Sequence, residues 1–341
     1  MSQKSEKNHV KRIMSDCTLC PRNCHADRLG GQKGYCGQTA EIRAARAALH
    51  FWEEPCISGK EGSGTVFFSG CVLRCIFCQN HNIAQGKAGQ EISLERLAEI
   101  FLELQEKKAN NINLVTPTHF VPQIAAALEQ AKKQGLHIPV VYNTGSYEKV
   151  ETLRMMDGLV DIYLPDMKYV SAELGRKYSG AADYFEVASA AIAEMVRQVG
   201  KPVFAEPVRE KVGDGIRAPK NGEDDEPTAP RQNDEDDEPE VLLKRGVIVR
   251  HLVLPGNIAD SKKVIRYLYE TYGNDIFISI MSQYTPLREF PEYPELNRRL
   301  RAREYEKVVD FALDIGVENG FLQEGDVAED SFIPEFNGEG L

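Results

Sequence analysis

The chain has 341 residues, 42% of them apolar, which suffices for one large domain with an appendage or two ordinary domains around a sizeable core. Its formal charge of −11 is uneven: Glu223 to Glu240 carries ten acidic residues against one arginine, a local −9, which leaves about −2 for the remainder. There is no basic stripe, the start "MSQKSEKNHVKRIM" has no apolar leader, and no run approaches the roughly 18 apolar residues of a membrane span. Nucleic-acid binding, export and membrane insertion are therefore excluded as expectations. In a chain without an export signal, eight cysteines are metal ligands before they are disulfides, and a reducing cytoplasm is expected.

In chain order, residues 1–15 are polar and residues 17–60 hold five cysteines and many glycines with little periodicity. Residues 1–60 thus form a tail and a cysteine-rich extension. From residue 61 to about 325 a regular alternation follows. "GTVFFSG" reads as a short buried strand. A helix near 93–108 has Ser93 as N-cap and Leu94, Leu97, Ile100, Phe101 and Leu104 on one face. "INLVT" is a strand, 121–134 a helix stopped by Gly135, "IPVVYN" a strand, 147–156 a helix, and "LVDIYLP" a strand. Residues 183–199 are helical, "VIVRHLVLP" is a strand, 260–272 a helix, "DIFISIM" a strand and 300–315 a helix. Residues 210–240 are acidic, proline-containing and poor in large apolar side chains; such an insertion cannot offset its ordering entropy, so a disordered surface loop is expected. Residues 326–341 form a C-terminal tail.

Val- and Ile-rich strands alternating with amphipathic helices imply parallel βα units. About six strands are fewer than the eight of a complete barrel, so the fold class is α/β, as a partial TIM-like (β/α)6 barrel or a doubly wound sheet. Either arrangement gathers functional groups at the carboxyl ends of the strands. Cys71–Cys78, Thr116–Thr118, Asn143–Gly145, Asp166–Lys168, Pro255–Asn257 and Ser282–Tyr284 then share one rim.

The stretch "GCVLRCIFCQN" carries the chemistry. Thiolates select zinc, copper(I) or iron–sulfur clusters. A closed zinc site and a cubane cluster each normally take four protein ligands. Three cysteines at Cys71, Cys75 and Cys78 leave one coordination position for something else, as a reactive centre requires. Gly70 lets the backbone turn sharply before the first of them.

Cys71-x3-Cys75-x2-Cys78, with Phe77 before the last cysteine and βα repeats behind, resembles the signature of the radical S-adenosylmethionine (SAM) superfamily. The resemblance implies a [4Fe–4S] cluster on the three cysteines and SAM chelating the fourth iron through its amino and carboxylate groups. It further implies reductive cleavage to a 5′-deoxyadenosyl radical that abstracts hydrogen from a substrate. "SGCVLRCIFCQN", "YLPDMKY" and "VIVRHLVLPGN" resemble the glycyl-radical-enzyme activating branch, and the likeness to pyruvate formate-lyase activating enzyme-like proteins covers roughly residues 17–325 outside the acidic loop. That resemblance points to Lys168 and Arg250 as cofactor-binding cations, with structural ion pairing as the alternative for both. Where the family often has Gly-Gly-Glu after the second strand, this chain has "VTPTHF", so Thr116 and Thr118 are substitute oxygen donors. His119 is a proton carrier or a helix cap. Asn143 faces the cofactor or belongs to a turn, and Gln283 and Tyr284 are weaker candidates on the adenosine side.

Upstream, Cys17, Cys20, Cys24 and Cys36 allow a zinc knuckle or a second iron–sulfur cluster. His25 is a substitute ligand. Cys56 remains, as a buried spectator or a spare thiol. The expected activity is hydrogen abstraction from a backbone glycine of a glycyl radical enzyme, with flavodoxin or ferredoxin as electron donor. The alternatives are radical chemistry on a small molecule or another protein modification, and a non-catalytic zinc or iron–sulfur protein.

Overall fold

The computed structural model describes residues 10–206, 241–323 and 334–341. The expected disorder of the 210–240 loop lies outside those residues. Among the described residues ten strands form one sheet: β1 (Ile42–His50), β2 (Ser63–Phe68), β3 (Gln90–Ile92), β4 (Ile112–Val115), β5 (Val140–Thr144), β6 (Ile162–Pro165), β7 (Val203–Phe204), β8 (Leu243–Leu252), β9 (Phe277–Met281) and β10 (Gly320–Leu322). Their order is β10-β9-β8-β6-β5-β4-β2-β1-β3, with β7 pairing on β8. The run from β2 to β10 is parallel, while β1 pairs antiparallel with both β2 and β3. This is an α/β fold with a mostly parallel sheet, consistent with a partial TIM-like barrel.

The six parallel strands read from the sequence are all present, in the order read. The sheet adds what the periodicity did not show. β1 is rich in alanine, with arginines at 43 and 46 ("IRAARAALH"), and so lacks a bulky apolar signature. β3, β7 and β10 have three, two and three residues, too short for any period to register. β1 and β2 join across residue 61, so the cysteine-rich extension supplies a strand to the same sheet.

The helices follow their caps. The Ser93 hydroxyl accepts from the Arg96 N–H and opens Leu94–Glu106, whose Leu97, Ile100, Phe101 and Leu104 are buried. Val121–Lys133, Tyr184–Val199, Ile258–Tyr272 and Ala302–Asp314 cover the outer faces with the expected bounds to within two residues. An eight-residue helix, Ala172–Ser179, was not anticipated; Ser171 caps it and Gly180, in the left-handed region, ends it. Among the described residues no helix is long and apolar enough to cross a membrane.

The barrel is closed below by the loop between β1 and β2. Its four-residue helix Pro55–Ser58 inserts Cys56 and Ile57 against Val141, Ile162, Leu164 and Ile248. Cys56 is therefore a floor residue, and burial first, with Glu54 beside it, pushes its thiol up to about 12. The final residues 334–341 lie on β1: Ala47 N–H donates to the Glu339 carbonyl and Gly338 N–H to that of Ala45. Phe336 packs edge-on against Phe67.

Ile57 is fully buried at the floor. Replacing it with alanine is expected to lower unfolding stability by about 2–5 kcal/mol, read from denaturant melts. A loss below about 0.5 kcal/mol would show that the floor is not packed as described.

Candidate active site

The anticipated rim forms. The loops after β2, β4, β5, β6, β8 and β9 gather at one end of the sheet, and backbone strain is concentrated there. Arg74, Thr116 and Ser146 have φ of 54°, 59° and 63°, following β2, β4 and β5. For Thr116, which is β-branched, the left-handed region is a true outlier, and such strain persists where surrounding structure imposes it.

The loop after β2 holds Cys71, Cys75 and Cys78, all partly buried and none in a disulfide. Gly70 turns into it with φ +89°; a Cβ there would sit 2.6 Å from Gln38 Cγ and 2.7 Å from the Cys36 carbonyl oxygen, so only glycine fits. Burial raises the Cys75 thiol, against the pull of the Lys168 ammonium. Burial and the neighbouring Cys71 and Cys75 push Cys78 up to about 12. The desolvated thiols of Cys75 and Cys78 resist ionisation, which is the condition that a soft cation relieves by displacing their protons. Phe77 sits in an aromatic box beside the cysteine loop, edge-on to Tyr169, Tyr178 and Tyr284.

Two cations stand at the strand ends. Lys168 Nζ lies 2.7 Å from Asp166 Oδ2; burial works against its charge, but Asp166 outweighs it and its pKa is raised. Arg250, on β8, forks to Asp166 Oδ1 at 3.2 Å and Glu53 Oε2 at 2.9 Å, and donates to Asn143 Oδ1. Glu53 also accepts from Asn113 at 2.9 Å and Asn143 at 3.2 Å. Asp166 is held below the usual carboxylate range: burial would raise it, and Lys168 and Arg250 together more than reverse that. Adjacent Glu54 is fully desolvated and raised, with Oε2 unpartnered, despite the nearby Arg250. The structural ion pairs expected as the alternative for Lys168 and Arg250 are thus present. They lie on the rim beside the thiols.

The other named residues divide. Asn143 belongs to the Arg250–Glu53 network. Thr118 does not face the thiols: its hydroxyl donates to buried Glu148 at 2.6 Å, which also accepts from Thr144 at 2.6 Å. Thr116 is half-buried at the end of β4, its N–H bonded to the Asn143 carbonyl. Tyr284 donates its hydroxyl to the Leu296 carbonyl at 2.6 Å, and the Gln283 carbonyl accepts from Gln79, so residues 283–296 fold over the cysteine loop.

The upstream cysteines do come together. Cys20 is raised to about 12 by burial and by Cys36 and Cys17, and Cys36 is raised by burial with Cys17 and Cys24 adding to it. Gly34 makes room for them: a Cβ would lie 3.2 Å from Cys24 Sγ and 3.5 Å from Cys36 Sγ. His25 faces away, with Nδ1 2.7 Å from Asp16. Among the described residues no three His, Cys, Asp or Glu side chains form a cage for a single metal ion, in either cysteine set. For Cys71, Cys75 and Cys78 this is compatible with a cubane, whose irons occupy separate corners.

Arg22, between Cys20 and Cys24, had no signal of its own in the sequence, yet it binds this module to the rim. It donates to the carbonyls of Val72 at 2.8 Å, Ser179 at 2.8 Å and Gly180 at 2.6 Å, and stacks on Tyr35. Glu53, Ser179 and Tyr184 were likewise missed. The Tyr184 hydroxyl sits between the Gly145 and Asp166 carbonyls and accepts from the Lys168 N–H.

Residues 65–207 match the radical SAM superfamily model. This stretch is similar to radical SAM domains. The uncharacterized protein MJ0674 of Methanocaldococcus jannaschii is 27% identical over 314 residues, 89% of this chain and 76% of that protein. Similar folds occur in Streptococcus suis SuiB bound to precursor peptide SuiA (12% identity, TM-score 0.46, 74% of this chain and 46% of that one). SuiB bound to S-adenosylmethionine matches at 12% identity and TM-score 0.45, over 74% of this chain and 48% of that one. The chain spans about half the length of these solved structures. The radical SAM family implies a [4Fe–4S] cluster and SAM. The donor set fits: soft thiols alone on the loop after β2, and two cations beside them for a carboxylate.

His119 and His251 are buried near the rim. His119 Nε2 meets the Ser69 carbonyl at 2.6 Å, and burial first, with Arg28 second, lowers it to about 3. His251 Nδ1 meets the Met167 carbonyl at 2.7 Å, and burial lowers it to about 4. Both are neutral at pH 7. Their folded pKa values lie below the ordinary 6.5, so the unfolded chain binds more protons between about 4 and 6.5. Stability is complete above that window and falls as pH drops through it, by up to about 1.4 kcal/mol per pH unit for each histidine. Urea melts from pH 7 to pH 4.5 are expected to show this, and His251→Gln to remove about one proton from the slope. An unaltered slope would contradict the assignment.

Proposed function

We propose that the chain is a radical SAM enzyme that binds a [4Fe–4S] cluster through Cys71, Cys75 and Cys78 and cleaves SAM reductively. The observation that supports this most directly is the three-thiol loop lying on the rim next to Lys168, with Arg250 linked to it through Asp166. A cluster held by these three cysteines would supply the electron for reductive cleavage of SAM. The chain's own residues hold and orient. Lys168 and Arg250 present cations to a cofactor carboxylate, and Asp166 keeps both charged and placed. Asn143 fixes the Arg250 fork. Residues 283–296 and the aromatic box around Phe77 restrict water at the cysteine loop.

For the hydrogen donor we favour the α-carbon of a backbone glycine in a glycyl radical enzyme, supported by the likeness of "YLPDMKY" and "VIVRHLVLPGN" to the activating branch. A low-potential electron donor such as flavodoxin or ferredoxin completes the reaction. We assign a second metal, zinc or iron–sulfur, to Cys17, Cys20, Cys24 and Cys36, supported by their mutual proximity. Binding there requires the four thiols to close in by local adjustment.

Anaerobically purified protein is expected to be brown, to contain iron and sulfide, and to release 5′-deoxyadenosine and methionine when reduced with SAM. Cys75→Ala abolishes that release, whereas Cys20→Ala alters folding or electron delivery and leaves the iron at the rim. Lys168→Met keeps its iron and weakens SAM binding by about tenfold or more. A colourless, zinc-loaded, air-stable protein without cleavage would overturn the reading. A glycyl radical signal on a co-encoded partner supports the activase substrate, and its absence with every candidate partner of the same genome argues for another hydrogen donor.

A further inference from the structure

Beside the cysteine loop a short chain of hydroxyl groups ends on a thiol that the proposed reaction uses. The Ser179 hydroxyl lies 3.0 Å from Cys75 Sγ, and the Tyr169 hydroxyl lies 3.1 Å from Ser179 Oγ. Ser179 has one hydroxyl proton. Directed to sulfur, it leaves Ser179 an acceptor toward Tyr169, so the donation runs Tyr169 to Ser179 to Cys75. Both residues are buried, at 1% and 3% exposure, so water does not compete for these groups. In a dry setting each donor polarises the next.

The geometry is held from several sides. Ser179 is the last residue of the helix Ala172–Ser179, and Gly180 closes that helix in the left-handed region. The Ile76 N–H, inside the cysteine loop, donates to the Tyr178 carbonyl at 2.9 Å. Arg22 joins the loop carbonyl of Val72 to the carbonyls of Ser179 and Gly180. The helix end and the cysteine loop therefore move as one piece, and the hydroxyl remains aimed at sulfur.

We infer that Ser179, polarised by Tyr169, is a positioning residue that sets the reduction potential of the cluster through Cys75. This deepens the proposed function and rests on it. A hydrogen bond to a ligating thiolate draws charge from the sulfur, and the reduced cluster, which carries one more negative charge, gains more from it than the oxidised one. The donor chain thus raises the potential and eases reduction by a one-electron donor protein. The Leu73 N–H also donates to Cys71 Sγ, at 3.4 Å; the Ser179 hydroxyl is a side-chain donor, which a substitution removes without altering the backbone.

The test is an EPR-monitored redox titration of the reconstituted protein without SAM, for wild type, Ser179→Ala, Ser179→Thr and Tyr169→Phe. Ser179→Ala is expected to make one-electron reduction about tenfold less favourable, ~59 mV more negative. Tyr169→Phe shifts the potential the same way by less, and Ser179→Thr, which keeps a hydroxyl, returns toward wild type. Iron and sulfide contents stay equal across the set. A Ser179→Ala protein with full iron content and an unmoved midpoint overturns the inference. If Ser179→Ala assembles no cluster, Tyr169→Phe decides, since it leaves Ser179 in place; an unmoved midpoint there overturns it equally. A wild type that binds no cluster defeats the proposed function itself, whereas a wild type that cleaves SAM with potentials insensitive to these variants defeats only the role of Ser179.

Discussion

A partly buried arginine sets the terms for the inside of this barrel. Arg250 lies on β8 among apolar neighbours, and a guanidinium there needs partners on every side to offset its lost hydration. Glu53, Asp166 and Asn143 supply them from the β1–β2 loop, the end of β6 and β5. Removing one member of such a buried set typically costs about 3–5 kcal/mol, because the others are left charged in a dry place. Asp166 is shared with Lys168, so both cations are fixed to the same point on the rim. The network accordingly does two things at once. It joins strands of the sheet, and it presents positive charge beside the three thiols.

The cysteine-rich extension belongs to that construction rather than hanging from it. Arg28 is buried and donates to the His119 carbonyl, and Arg22 grips the cysteine loop and the end of the helix Ala172–Ser179. Lys149 and Thr152 donate back to the carbonyls of Thr18 and Leu19. Most of these contacts are side-chain donors meeting backbone carbonyls, which fixes the path of loops that have no regular hydrogen bonding of their own. A thiol loop that must hold a cluster in one orientation gains from such tethering, since its own sequence of turns and glycines does not rigidify it.

Much of the fold was legible before any coordinates. The Val- and Ile-rich strands at β2, β4, β5, β6, β8 and β9, and the helices between them, stand out because burial on both faces imposes long apolar runs. β1 was illegible because its alanines carry little hydrophobic signal, and β10 because three residues contain no period. Cys71, Cys75 and Cys78 were legible because a metal set close in sequence writes its spacing into the chain. Glu53 was not: it meets Arg250 across 197 positions, and nothing in "WEEP" announces which strand it faces.

The sequence by itself determined the parallel βα order, the rim on which the strand-end loops meet and the three-thiol loop among them, because these follow from local periodicity and local spacing. The tertiary structure alone decided that Thr118 turns to Glu148, that Cys56 plugs the floor, that Arg22 ties the extension to the rim and that Ser179 reaches Cys75. Each of these depends on residues distant in the chain being brought within hydrogen-bonding or packing distance, and such contacts leave no periodic trace in either partner's surroundings.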